Sequence, residues 1–217
     1  MSLWIKICAN TSLEDALHAA EAGADAIGFV FAPSPRRVTV ARVAEIVPRL
    51  PAGVEKIGVF VEASLDDICE AVCVSGITGV QLHAQGGPDL TAGLRERFGP
   101  GLRILRVVHF GLEAAAQASQ AAADANVDAI LVDSRTAAAV GGTGMAFDWQ
   151  VAGSTLFGVA RKPMVAAGGL TPDNVTEALA TLRPWGVDVA SGVESAPGRK
   201  DPAKVRAFIA HARAFGA

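Results

Sequence analysis

Eight short apolar runs alternate with segments of helical period along the 217 residues of the chain. Each run has the length and the β-prone residues of a strand, and the intervening segments repeat apolar residues at helical spacing. The runs are too continuously apolar to leave one sheet face in water, so they indicate a parallel sheet covered by helices. The predicted strands are Trp4–Cys8, Ala26–Phe31, Lys56–Val61, Gly79–His83, Arg103–Phe110, Ala129–Ser134, Pro163–Gly168 and Gly186–Ser191.

The number of these units favours a closed (βα)8 barrel of the α/β class, a TIM barrel with an eight-stranded parallel sheet. Such barrels reach roughly 200 to 250 residues as one domain. No linker or low-complexity block divides this chain, so we predict a single domain over residues 1–217. A doubly wound open sheet is the alternative, but no Gly-x-Gly-x-x-Gly turn follows the first predicted strand.

Helix-start signals precede several of the intervening segments. Ser12 and Ser64 each stand before acidic residues in the first helical turn, and Thr171-Pro172-Asp173 combines a hydroxyl with a first-turn proline. The alanine-rich stretch Glu113–Ala125 has the composition of a helix and follows the fifth predicted strand.

The charge and cysteine content exclude several classes of function. A formal net charge of −3 gives no general attraction for nucleic acid or an anionic membrane. We see no signal peptide and no apolar run of the roughly 20 residues that span a bilayer, so we expect a cytoplasmic protein. The three cysteines lack CxxC spacing, which predicts free thiols and no structural metal site.

Chemistry in such a barrel is expected at the carboxyl ends of the strands. The residues at or near these ends are Cys8, His83, His109 or the nearby Arg106, Asp133, the Gly168-Gly169 pair and Ser191-Gly192, with Asp188 slightly deeper. The histidines of helical segments, His18 and His211, are expected to be structural. His83 suits either the barrel mouth or a satisfied core position.

Strand alternation places Lys6 and Cys8 on the inner face of the first strand. Cys8 should therefore point into the barrel mouth, although free cysteine also serves as a small buried hydrophobe. Lys6 is expected to be a structural partner for an inward Asp188. Cys69 and Cys73, four residues apart beside apolar neighbours, are interpreted as packing thiols.

Asp133 ends an otherwise apolar strand, where a carboxylate is unfavourable without a partner. This favours a functional role, with a helix cap or a structural ion pair as the alternative. The glycines of "AAGGLTPDN" and "ASGVESAPG" follow the last two strands and would let backbone N–H groups approach a phosphate. Arg36 or Arg37 could bind a substrate carboxylate, and spacing alone does not choose between them.

These motifs, in this order, resemble the phosphoribosylanthranilate isomerase family of tryptophan biosynthesis. The similarity runs nearly from end to end. It includes "KICAN", "GADAIGFVFAPSPRRV", "GVFV", "VQLH", "VDSR", "GGTG", "FDW", "GGLTPDNV" and "VDVASGVESAPGRKD".

The resemblance implies an Amadori rearrangement of N-(5-phosphoribosyl)anthranilate without cofactor or metal. Cys8 matches the family's general base and Asp133 its general acid. Arg37 matches the arginine that holds the anthranilate carboxylate. His83 is expected at the substrate, Asp188 matches a carboxylate near the sugar, and the phosphate-binding turns match Gly168, Gly169, Ser191 and Gly192. The expected partner is this small phosphorylated substrate, and the chain is expected to act as a monomer or homodimer.

Three departures from the family pattern bear on rate and on a predicted lid after the sixth strand. Ala9 and Ala84 replace glycines, and Met145-Ala146 replaces a Lys-Thr pair. Two other functions remain open from the residues. One is the related histidine-pathway sugar isomerase, which uses an aspartate where this chain has Cys8. The other is a barrel that binds a phosphorylated ligand with lost or altered activity.

Overall fold

The computed structural model describes residues 3–83, 87–133, 149–158 and 161–215. Its eight barrel strands, numbered in chain order, are β1 (Trp4–Ile7), β2 (Ala26–Val30), β3 (Glu55–Phe60), β4 (Gly79–Leu82), β5 (Arg103–His109), β6 (Ala129–Asp133), β7 (Met164–Ala167) and β8 (Gly186–Val189). They are parallel and pair in sequence order, and β8 pairs with β1 to close the barrel. The predicted (βα)8 barrel is therefore confirmed, and the open-sheet alternative is wrong.

The helices lie between the strands and after β8. They are α1 (Leu13–Glu21), α2 (Val40–Ile46), α3 (Leu65–Ser75), α4 (Pro88–Phe98), α5 (Ala114–Ala123), α6 (Trp149–Ala152), α7 (Val175–Leu182) and α8 (Pro202–Phe215). A single π-helical segment, Gly153–Phe157, follows α6. None of the helices in the described residues is both long enough and apolar enough to cross a membrane.

The predicted strands end one or two residues later than the observed ones. Cys8, for example, lies one residue beyond β1, and Ser191 lies two residues beyond β8. These end residues leave the sheet to turn into the loops at the carboxyl ends of the strands, which we call the mouth. Local apolar character continues past the last ladder pair, so it does not show where the pairing stops.

Two of the predicted helix starts are confirmed and one is wrong. The Ser12 hydroxyl accepts a hydrogen bond from the backbone N–H of Asp15 at 3.1 Å, and Ser64 forms a capping box with Asp67. The Thr171 signal instead precedes a turn, because the Asn174 Oδ1 accepts from the Thr171 N–H at 2.8 Å. The helix α7 then begins at Val175.

A small antiparallel hairpin that the sequence did not indicate follows β8. Its strands are β9 (Glu194–Ala196) and β10 (Arg199–Lys200). Gly198, in the turn, has a φ of +79°, and its carbonyl accepts a hydrogen bond from the Thr11 hydroxyl at 2.6 Å. The hairpin therefore lies against the loop that follows β1.

The barrel interior is layered along its axis. An apolar group, which we call the floor cluster, consists of Trp4, Ala26, Ile57, Leu105, Val107, Ala129, Leu131, Val165 and Ala167. A second small cluster at the mouth contains Cys8, Ala9 and Val59. Ile5 and Ile7 of β1 pack instead in the outer layer with the helices, so the predicted alternation along β1 is confirmed.

Candidate active site

A cavity of about 230 Å³ opens at the mouth. Its lining includes every predicted site residue except Arg37, namely Cys8, His83, Asp133, Gly168, Gly169, Asp188, Ser191 and Gly192. The barrel topology brings them together, because parallel strands all present their carboxyl ends at one edge.

Cys8 is held immediately after β1, at the base of this cavity. Its backbone N–H donates to the Val189 carbonyl at 2.8 Å, so the chain stays tied to β8 after the strand ends. The sulfur packs on the backbone of Gly28, where an added Cβ would lie 2.6 Å from Sγ. A side chain at position 28 would displace the thiol, and this contact explains the glycine inside β2.

Lys6 lies two residues before Cys8 and is fully buried. Its Nζ donates to Gln81 Oε1 at 2.6 Å and to Asp188 Oδ1 at 3.0 Å. The predicted pairing of Lys6 with Asp188 is therefore confirmed. Burial alone would lower the pKa of Lys6, but the charges of Asp188 and Cys8 outweigh it and raise that pKa above its ordinary value.

Burial and the charges around Cys8 act on its pKa in opposite directions. Burial raises its pKa above the ordinary value and the Asp188 charge adds to this effect, whereas Lys6 and Lys200 act to lower it. Lys200 is itself buried on β10, where its Nζ donates to the Ala190 carbonyl at 3.0 Å. The net direction is upward, so formation of the thiolate depends on these nearby cations.

The next residue, Ala9, adopts a left-handed backbone conformation with a φ of +62°. It is buried and lines the cavity beside Cys8. A Cβ in this region is unfavourable, since glycine alone adopts it freely. The alanine that departs from the family pattern therefore occupies a position whose geometry suits glycine.

Asp133 is the last residue of β6, where it pairs in register with His109 of β5 and Ala167 of β7. It is buried, and its backbone carbonyl accepts a hydrogen bond from the Phe110 N–H at 3.0 Å. Strand pairing on both sides therefore fixes the backbone that presents this carboxyl group at the mouth.

The two glycine turns form another part of the cavity wall. Gly168 and Gly169 have φ values of +85° and +66°, which allow the chain to turn sharply after β7. The turn after β8 lies directly against it, because a Cβ on Gly192 would come within 1.8 Å of the Leu170 carbonyl oxygen. The two turns therefore pack backbone against backbone at this wall.

The structure distinguishes the two arginines of the loop after β2. Arg36 lines the central cavity, and its Nε and Nη2 bind the Glu194 carboxylate of β9 at 2.7 to 3.1 Å. Arg37 is exposed and lines a neighbouring cavity that shares Ala32 and Pro33 with the central one. Arg36 and Lys200 hold the pKa of Glu194 below its ordinary value, although burial alone would raise it.

Other strand-end candidates lie in different surroundings. His83 is half-buried in the cavity wall, where its Nε2 lies 3.4 Å from Gln81 Nε2, and its ring centroid is 5.5 Å from that of His109. Arg106 does not reach the mouth. It lines a separate cavity with Gln117 and Asp124, because its position on β5 faces the helices.

Several side chains near Cys8 were missed in the sequence. Gln81 could have been found, since strand alternation places it on the inner face of β4 with His83. Glu194 and Lys200 come from the hairpin and follow no periodic pattern. Cys69 is buried in α3, as predicted for a packing thiol. The same prediction for Cys73 is wrong, because Cys73 is exposed.

Comparisons with known proteins identify the family of this barrel. The family described as N-(5'-phosphoribosyl)anthranilate (PRA) isomerase matches residues 5–211. The chain belongs to this family. The N-(5'-phosphoribosyl)anthranilate isomerase of Citrifermentans bemidjiense is 44% identical over 213 residues, which cover 96% of this chain and 96% of the relative.

Solved structures of the family have the same fold. The phosphoribosylanthranilate isomerase of Thermotoga maritima matches with a TM-score of 0.83 and 33% identity, over 98% of this chain and 99% of the other. A second isomerase structure, in complex with reduced 1-(o-carboxyphenylamino)-1-deoxyribulose 5-phosphate, matches with a TM-score of 0.80 and 32% identity, over 98% and 99% of the two chains.

Two of the family departures noted in the sequence lie outside the described residues. These are Ala84 and Met145-Ala146, the latter within the predicted lid after β6. Ala9 is thus the departure for which the structure gives a geometric consequence.

Proposed function

We propose that this chain catalyses the Amadori rearrangement of N-(5-phosphoribosyl)anthranilate, with Cys8 as general base and Asp133 as general acid. Its family membership makes it an isomerase of tryptophan biosynthesis. The observation that carries the assignment of roles is that Cys8, Asp133 and both glycine turns line one cavity. A thiol and a carboxyl group at a single site are sufficient for a reaction made of proton transfers.

In the first step, the Asp133 carboxyl group donates its proton to the furanose ring oxygen, and the ring opens to a Schiff base. The Cys8 thiolate then removes the proton from C2 of the sugar. The electrons of that C–H bond form the enamine, and the cationic nitrogen becomes neutral. Tautomerisation moves the C2 hydroxyl proton to C1 and yields the ketone product, and proton exchange with water returns Cys8 and Asp133 to their starting forms, so atoms and charge balance without an added oxidant or metal.

The ends of the substrate fit different parts of the cavity wall. The ligand in the related isomerase structure, reduced 1-(o-carboxyphenylamino)-1-deoxyribulose 5-phosphate, has both a phosphate and a carboxyl group. We assign the phosphate to the glycine turns at Gly168-Gly169 and Ser191-Gly192, where backbone closely approaches the cavity. We assign Asp188 to the sugar and His83 to the cavity wall beside it.

For the anthranilate carboxylate we propose Arg36. The resemblance in sequence favoured Arg37, but Arg36 is the arginine that lines the central cavity. Glu194 occupies its Nε and Nη2, which fixes the plane of the guanidinium group and leaves Nη1 for a ligand. A fixed guanidinium loses little side-chain entropy when it binds a carboxylate. Arg37 stays a prediction with a weaker geometric basis.

The remaining features of the proposal follow from the sequence. We expect one domain over the whole chain, a cytoplasmic location, and a monomer or homodimer that needs no cofactor. Exchange of the purified enzyme into a metal-chelating buffer should leave turnover unchanged. Size-exclusion chromatography with light scattering will distinguish monomer from dimer.

A continuous fluorescence assay tests the roles of Cys8 and Asp133. Phosphoribosylanthranilate is generated in place, and its disappearance is followed for wild type, Cys8→Ser and Asp133→Asn. We expect each variant to lose roughly 100- to 10,000-fold in kcat, the usual contribution of a general acid or base. Cys69→Ser is the matched control, because it changes a buried thiol outside the cavity.

Binding of a reduced product analogue separates chemistry from folding in the same variants. Both should bind the analogue about as tightly as wild type. Turnover that survives either substitution would refute that residue's role. A wild-type protein that binds the analogue and converts nothing would support the binding-only alternative instead.

A further inference from the structure

Lys6 is a buried lysine that lies close to the proposed base as well as to its ion-pair partner Asp188. Its side chain is fully buried, and its ammonium group bonds to Gln81 and Asp188 directly below Cys8. A buried ammonium is unfavourable by several kcal/mol unless its partners compensate. The two acceptors hold the group in place, and the Cys8 sulfur packs on the same residue of β2 as the lysine stem, close enough for its charge to act on the ammonium group.

The side chains of Lys6 and Cys8 both pack against Gly28 of β2. An added Cβ at Gly28 would lie 2.6 Å from Cys8 Sγ and 3.0 Å from Lys6 Cε. The sulfur and the lysine stem thus press on the same stretch of backbone. This shared surface keeps the two side chains next to one another, and it depends on a position that carries no side chain of its own.

The charges near the sulfur do not balance while Cys8 is a thiol. We define the buried charge cluster as Lys6, Arg36, Asp188, Glu194 and Lys200. Lys6 pairs with Asp188 at 3.0 Å, Arg36 pairs with Glu194 at 2.7 Å, and Lys200 lies 3.4 Å from Glu194. The cluster therefore contains three cations and two carboxylates, a net charge of +1.

Ionisation of Cys8 would bring this cluster to neutrality. Lys6, Lys200 and Arg36 each interact electrostatically with the sulfur. Across the cavity, the titratable groups of the described lining are Asp133 and His83. Cys8 is the group that packs on Gly28 together with Lys6, so its thiolate is the anion that the cluster lacks.

We propose that Lys6 is a positioning residue for the reaction and that its ammonium group is the counter-ion of the Cys8 thiolate. Asp188 holds this ammonium group and partly offsets its charge. The inference rests on the proposed function, in which the Cys8 sulfur is the base. Lys6 on β1 and Asp188 on β8 would then set the ionisation of the Cys8 thiol before any substrate binds.

The test is a thiol titration that needs no substrate. Cys69 and Cys73 are first replaced by serine, so that Cys8 is the remaining cysteine of the three in the chain. The thiolate is followed by its ultraviolet absorbance and by the rate of iodoacetamide alkylation as a function of pH. Lys6→Met, Asp188→Asn and the parent are compared, each with a thermal melt to verify folding.

The two substitutions break the same ion pair but should shift the thiol in opposite directions. Loss of the Lys6 charge should raise the pKa of Cys8 and slow alkylation near neutral pH by about tenfold or more. Loss of the Asp188 charge should lower that pKa and speed alkylation. A purely structural role predicts shifts in the same direction, because either variant loosens the same buried pair.

Each outcome decides the proposal. A folded Lys6→Met protein that titrates like its parent would overturn it. If Lys6→Met does not fold, Asp188→Asn still decides, since an unchanged or raised thiol pKa in that variant contradicts the counter-ion role. If the shifts occur as expected but wild type shows no isomerase turnover, the counter-ion role stands and the proposed function fails.

Discussion

The floor cluster and the mouth of this barrel are built from the same eight strands but obey different rules. At the floor, apolar side chains such as Leu105 and Ile57 fill the interior with almost no exposure. Above, the same strands end in a thiol, carboxyl groups and glycine turns around an open cavity. Packing at the floor therefore secures the closed barrel, while paired charges and the left-handed Ala9 are found at the mouth.

The largest effect is expected on stability, from a substitution in the floor cluster. Leu105→Ala removes a fully buried side chain from the floor cluster, so the free energy of unfolding should fall by about 2–5 kcal/mol. Chemical denaturation measures this loss. Turnover per folded molecule should stay near wild type, because Leu105 does not line the cavity. A large drop in kcat for the folded variant would break the proposed division between the floor and the mouth.

The second prediction concerns the substrate carboxylate. Arg36→Ala should raise KM by roughly 10- to 100-fold, since hydrogen bonds to charged groups contribute about 1.5–3 kcal/mol. Arg37→Ala is the matched control, because it removes an equal charge from the adjacent residue at a neighbouring cavity, and it should change KM little. Steady-state kinetics of the two variants decide between the two arginines, and the reverse pattern would restore Arg37 as the carboxylate ligand.

The third prediction concerns how the alkylation rate of Cys8 depends on pH. Burial raises the pKa of the Cys8 thiol in the free enzyme, and the thiolate is the reactive form. Below that pKa, the rate at which iodoacetamide alkylates Cys8 in the free enzyme should therefore rise about tenfold per pH unit and continue to rise beyond pH about 8.5, the ordinary cysteine value. The raised pKa of Lys6 keeps its ammonium charged over this range. An alkylation rate that is already constant by pH 7 would show that the pKa of Cys8 is not raised.

The smallest effect is expected from the strained residue of the mouth. Ala9→Gly should stabilise the protein by about 1 kcal/mol or less, because glycine relieves the left-handed strain but orders a more flexible chain. Ala167→Gly is the control, since Ala167 lines the same cavity from the regular strand β7 and should be destabilised by the change. Equal melting-temperature changes in both variants would show that Ala9 stores no strain.

The strands and most of the residues at the mouth could be predicted from the sequence. The eight strands follow from continuous apolar runs, and the Lys6–Asp188 pair follows from alternation on β1 together with closure of the barrel. Strand ends then predict which residues gather at the mouth. These inferences rest on local pattern combined with one topological rule.

Other features depend on contacts between distant parts of the chain. Arg36 was not distinguished from Arg37 because its orientation is set by Glu194, 158 positions away. The position of Lys200 beneath Ala190 likewise depends on a hairpin that has no periodic signature. The shift of the α7 start to Val175 arises from a side-chain hydrogen bond of Asn174 that competes with the Thr171 cap.

In the proposed reaction, the Cys8 sulfur performs the proton abstraction at the mouth. The most direct measurement alkylates the variant that retains Cys8 alone and follows turnover against the fraction labelled, located by peptide mass spectrometry. Activity should fall in proportion to carboxamidomethylation of Cys8, and the reduced product analogue should slow the labelling. Full modification of Cys8 with turnover retained would show that another group abstracts the proton.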